Sequence, residues 1–134
     1  MGPDQAESTR TPMLLDAAGF EYVCDWPNDE EPYPMNTPNG LMAVPNMWSL
    51  DDAYAFCSKS LSPSRYADWV IEAAETMVGE GGRALTLVLR PWLSGQAARI
   101  SSLARIASNI ADRPDKWLAT TSELADHWRV EPRT

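Results

Sequence analysis

Ala84-Leu85-Thr86-Leu87-Val88-Leu89, followed at once by Arg90-Pro91-Trp92, is the stretch on which the fold turns. Residues 84–89 carry no charge, and all but Thr86 are apolar. A run of this kind fits a strand buried on both faces, as in a parallel sheet. Parallel strands need crossover connections, so helices are expected on either side of it.

Helical patterns do flank the run. Upstream, Ser62-Pro63 or Ser64 starts a helix whose Tyr66, Trp69, Val70, Ala73 and Met77 form one apolar stripe. Gly79, Gly81 and Gly82 end it. Downstream, residues 96–111 form the longest helix, with Ile100, Leu103, Ala104, Ala107, Ile110 and Ala111 on its core face. After the turn 112–115, Trp117 to Ala119 is a short last strand. Thr120 and Glu123 then make a capping box for a helix reaching about Trp128.

The N-terminal half is less regular. Thr11 caps a short helix with Pro12 at its first position, Met13, Leu14, Leu15, Ala17 and Ala18 fill it, and Gly19 ends it. Phe20 to Cys24 is a strand that runs into Asp25-Trp26. Residues 27–39 are rich in proline and acidic groups, which predicts an irregular loop. Leu41 to Val44 is a second short strand stopped by Pro45, and Ser49 caps a short helix over 50–57. Strands alternating with helices imply parallel pairing and right-handed crossovers. Residues 1–10 read as a flexible start, 11–129 as the folded region and 130–134 as a frayed tail.

The chain has 134 residues, 44% of them hydrophobic, a net charge of -8 and a pI near 4.5. One domain of this size buries roughly two thirds of its unfolded surface. The acidic balance argues against nucleic acid, whose binding depends on Lys and Arg neutralising phosphate. It also disfavours anionic membranes. No apolar segment approaches the roughly 20 residues of a membrane span, and no secretory leader is evident, so a cytoplasmic protein is expected. Cys24 and Cys57 are isolated and read as buried small hydrophobes.

Function in parallel α/β folds collects at the C-terminal ends of strands. Three strands end in Asp25-Trp26, Pro45-Asn46 and Arg90-Pro91-Trp92. Asp25, Trp26 and Trp92 are the candidate substrate-binding residues. Proline and tryptophan at such places also simply stop strands and pack the rim.

The same residues carry a family resemblance. TPMLLDAAGFEYVCDWPNDEEPY, residues 11–33, resembles the polysaccharide deacetylase family, in particular its allantoinase-like branch. LTLVLRPWLSGQAARISSLARIASNIADRPDKWLATTSELADHWR, residues 85–129, resembles that family's last barrel strand and closing helices. The resemblance implies the C-terminal part of a (β/α) barrel, with about four parallel strands and flanking helices. It implies hydrolysis of non-peptide carbon–nitrogen bonds in a small-molecule or carbohydrate-like substrate. It also implies a divalent metal such as zinc, held by an early Asp pair and an HxxxH-type motif upstream of the matched region. The family's general-acid histidine falls at Arg90, whose guanidinium cannot exchange protons but can hold an anion.

His127 is the only histidine, whereas an Asp/His/His triad needs two. No metal site is therefore expected within this chain, and His127 is expected on the last helix, where a positive charge suits the dipole. Three readings stay open. The chain is the C-terminal portion of a deacetylase-like hydrolase, inactive alone. It is a non-catalytic binding or partner subunit of that fold. Or it is a small α/β enzyme using carboxylates alone. Four strands leave open edges, so self-association or a complementing N-terminal half is expected.

Overall fold

The sheet is centred on Leu41-Met42-Ala43-Val44, all four buried. In the computed structural model, which describes residues 7–81, 83–111 and 113–130, Met42–Ala43 (β3) is the middle of three short strands. Tyr22–Val23 (β1) pairs with it in parallel, Tyr22 opposite Met42. Tyr33–Pro34 (β2) pairs on its other side, antiparallel. The proline-rich loop thus contributes a strand that its composition did not predict. Pro34 is tolerated because β2 is an edge strand, where a missing N–H costs no ladder bond.

The chain divides into two compact units, residues 1–46 with 119–134, and residues 47–118. The first holds the sheet and two helices, α1 (Thr11–Ala17) and α5 (Thr121–Val130). Ala125 and Trp128 of α5 pack on Met42 and Val44. The Thr120–Glu123 capping box forms as expected: the Glu123 amide donates to Thr120 Oγ1 at 3.3 Å, and the Thr120 amide to Glu123 Oε2 at 2.7 Å. Asp16 of α1 is buried and clasps the loop before β3. It accepts from Thr37 Oγ1 (3.1 Å), the Asn39 amide (3.0 Å) and Asn39 Nδ2 (3.0 Å). Thr11 is not the cap of α1. Arg10 holds that position, and Thr11 Oγ1 accepts from the Ser8 amide.

The second unit is helical. Ser62 Oγ accepts from the Arg65 amide at 3.3 Å, and Pro63 opens α2 (Pro63–Glu80). Gly81 closes α2 at φ 73° and ψ 151°, a region almost confined to glycine that costs other residues about 1–3 kcal/mol. Tyr66, Ala67, Val70, Ala74 and Met77 are buried. Opposite them in the core lie Leu50, Ala55 and Ile106, the last from α4 (Ile100–Ala111). The face of α4 differs from expectation. Ser102 and Ile106 are buried with Leu103 and Ile110 beside them, while Ile100, Ala104, Ala107 and Ala111 are exposed. Arg105 of α4 also pairs with Asp68 of α2.

Ser49 caps no helix over 50–57. A 3-10 turn (Trp48–Leu50) and a π-helical segment (Tyr54–Ser58) stand there. Cys57 is exposed rather than buried, and both cysteines are free.

Four parallel strands do not form among the described residues. Residues 84–89 are extended with no strand partner, held where the Asp52 amide donates to the Val88 carbonyl at 3.3 Å. Trp117 and Leu118 are also strandless, 55% and 63% exposed. An apolar run becomes a strand only when a neighbouring strand completes its ladder, and among the described residues neither run lies in a strand. Gly82, Asp112, residues 1–6 of the start expected to be flexible and residues 131–134 of the tail lie outside the described residues.

Candidate functional site

The chain leaves β1 through Cys24 and Asp25 into Trp26, which sits at φ 61°. Left-handed backbone at a bulky non-glycine residue stores strain of about 1–3 kcal/mol and tends to collect at functional sites. The Trp26 carbonyl is held twice, by Tyr33 Oη at 2.6 Å and by the Asn28 amide at 2.8 Å. These two bonds fix the turn. The Trp26 indole Nε1 is buried without a hydrogen-bond partner, as is Asn46 Oδ1.

Asp25 is 9% exposed. Burial, reinforced by the charge of Glu7, pushes its carboxyl above the usual carboxylate range. Burial, then the Asp25 charge, raises the Cys24 thiol as well. Burial likewise raises the Tyr33 phenol. Glu7, Thr11, Leu15 and the segment Gly19 to Asp25 line an open groove of about 690 Å³. This corner thus offers a carboxyl that holds its proton more tightly than usual, a donor without a partner on Trp26, and a fixed backbone.

In the second unit, Arg90 ends the extended run 84–89. Its Nη1 donates to Asp51 Oδ1 (2.8 Å) and Oδ2 (3.0 Å), and to Asp52 Oδ1 (2.6 Å). Its backbone amide donates to Asp52 Oδ2 at 2.7 Å, which also accepts from Ser94 Oγ. Asp52 is fully buried, and the bond to it is the first cause of the raised Arg90 pKa. Asp51 also starts the π-helical segment by accepting from the Ala53 and Tyr54 amides. Ser94 reaches Asp52 because α3 (Pro91–Ser94) turns tightly out of Arg90. Gly95 closes that turn, and a Cβ there would lie 2.5 Å from the Pro91 carbonyl oxygen. Tyr66 Oη donates to the Leu50 carbonyl at 3.0 Å, and burial with the charges of Asp52 and Asp51 drives its phenol far up.

Two carboxylates around one guanidinium leave a net negative charge. An anion or oxyanion is repelled from such a spot unless another cation joins it. Arg90 therefore acts here as the centre of a partly buried ion-pair network. Trp92, on α3, is 67% exposed.

Asp25 and Trp26 belong to the first unit, Arg90 and Trp92 to the second. Sequence reasoning missed Asp51, Asp52 and Ser94. An arginine ending an apolar run does call for a nearby carboxylate, but 38 residues separate it from Asp52. His127 lies in the last turn of α5, edge-on to Trp128, as expected. Among the described residues no three His, Cys, Asp or Glu side chains converge to hold a metal ion. The donors described do not fit the zinc site that the resemblance implies. No helix among them is long and apolar enough to cross a membrane.

This fold is shared with part of two larger solved structures. The chain is similar to a probable polysaccharide deacetylase from Pseudomonas aeruginosa PAO1, with a TM-score of 0.82 and 21% identity over 92% of this chain and 44% of that one. It is similar to the Puue allantoinase at a TM-score of 0.80 and 21% identity, over 96% of this chain and 45% of that one. It thus spans less than half the length of either, consistent with a C-terminal portion. No family model and no curated protein matches the sequence.

Proposed function

We propose that the chain forms the C-terminal part of a deacetylase-like hydrolase barrel acting on non-peptide carbon–nitrogen bonds, and that it works only with a complementing segment that supplies the metal ligands. One observation carries this reading. Nearly all of the chain superposes on less than half of each of two hydrolases. Asp25 and Trp26 then present substrate-facing groups: a carboxyl able to donate or accept a proton, beside an aromatic ring.

The test is co-expression with the polypeptide encoded immediately upstream. Zinc-dependent release of acetate from an N-acetylated amino-sugar oligomer, or opening of a cyclic amide, is expected of the pair and not of the chain alone. Zinc-dependent turnover by the isolated chain that survives His127→Ala would overturn the reading.

A second reading, a non-catalytic binding subunit, is favoured by the Arg90 network. The position where the family has a proton-exchanging histidine is occupied by a guanidinium locked to Asp51 and Asp52. A pair that assembles, folds and binds substrate without turnover would select it.

A further inference from the structure

The charge of the molecule is unevenly placed. Residues 1–46 with 119–134 carry eleven acidic residues and three arginines, whereas residues 47–118 carry eight acidic residues against six arginines and two lysines. The whole formal charge of -8 therefore belongs to the unit that holds the sheet. Within that unit the groove beside β1 gathers three carboxylates, Glu7, Glu21 and Asp25. Glu7 Oε2 is buried with no hydrogen-bond partner, and among the described residues no cationic side chain lines the groove. Arg129 is committed elsewhere: it donates to the Glu21 carbonyl at 2.9 Å and pairs with Asp126. Arg10 is exposed and outside the lining.

The groove also runs along an open strand edge. Among the described residues the order β1-β3-β2 leaves β1 paired on one side only, and Gly19 to Asp25, which contains β1, forms a wall of the groove. An open edge presents backbone donors and acceptors in the spacing of a strand, and this is the basis of peptide recognition by strand addition. A buried carboxylate oxygen without a partner, here Glu7 Oε2, is costly, and a guanidinium or ammonium is the group that relieves it.

We propose that this groove takes an extended, arginine- or lysine-bearing segment of a partner protein, added as a strand beside β1. A second copy of this chain is the wrong occupant, because two units of charge -8 would face each other. The proposal goes beyond the hydrolase reading and needs no turnover, so either can fail without the other.

The test titrates the full-length, 15N-labelled chain with a capped hexapeptide of alternating valine and arginine. Saturable shifts confined to the amides of residues 19–25 are expected. A valine–glutamate hexapeptide should give none, and N-methylation of alternate peptide nitrogens should abolish binding. Asp25→Asn and Glu7→Gln should each weaken binding about tenfold while the far-ultraviolet spectrum is unchanged. Equal shifts with the glutamate peptide would overturn the charge argument. Undiminished binding of the N-methylated peptide would overturn strand addition. Silence up to millimolar arginine peptide would overturn both.

Discussion

Arg90 separates two carboxylates that would otherwise face each other in the interior. Removing one partner of such a network costs far more than the pair itself contributes. Arg90→Met should therefore lower stability by about 3 kcal/mol, read from urea unfolding. A loss below about 1 kcal/mol would mean that water already screens the network. Asp25 should behave in the opposite sense. Its folded pKa lies above the unfolded value, so the folded state holds its proton more tightly, and stability falls as pH rises from the unfolded pKa through the folded one. Asp25→Asn should raise Tm at neutral pH, and the gain should vanish below about pH 3.9. A gain that persists in acid would contradict burial as the cause. Asp25 was legible because a charged residue at the end of an apolar strand asks for a reason. Asp52 was not, since its partner is distant in sequence and adjacent only in the fold.

Local chemistry made the helices readable. The Ser62-Pro63 start of α2 and the Thr120–Glu123 box of α5 depend on residues within one turn, and both form where their spacing says. Strands are different, because their stability lies in a neighbour that may be far away in sequence. Residues 84–89 have the composition of a buried strand and no strand beside them among the described residues. Tyr33-Pro34 has the composition of a loop and pairs with β3. Amide exchange gives the check at this scale. Leu85 and Leu87 should exchange far faster than the buried α2 residues Tyr66 and Val70, whose amides lie inside a helix. Equal protection would mean that residues 84–89 already have a strand partner.

At the scale of the molecule, two units of similar size differ in electrostatic character. Self-repulsion in the acidic unit should fall with ionic strength. Raising salt from about 0.01 M to about 0.15 M shortens the Debye length from about 30 Å to about 8 Å. The melting transition reported by Trp128 of that unit should therefore shift upward over this range, and a flat response would show that local pairs already neutralise it. The resemblance to a hydrolase family was legible from two stretches of sequence, and the shared fold agrees with it. The division of charge between units was not, because it requires knowing that residues 119–134 return to the first unit.

The clasp of Asp16 on the loop before β3 has a chemical consequence. Asn39 is followed by Gly40, a dipeptide prone to cyclise to a succinimide and deamidate when its backbone is free. In the fold both reacting partners are restrained. Asn39 Nδ2 donates to Asp16 Oδ2 at 3.0 Å, and the Gly40 amide donates to the Thr37 carbonyl at 3.2 Å. Cyclisation therefore waits for the loop to open, and the product would set a new carboxylate against buried Asp16, so that the loop closes less well afterwards. Peptide mass mapping of aged samples should find deamidation at Asn39 accumulating faster in Asp16→Ala than in the parent chain. The Asn39–Gly40 bond thus keeps a covalent record of how often this part of the molecule has come undone.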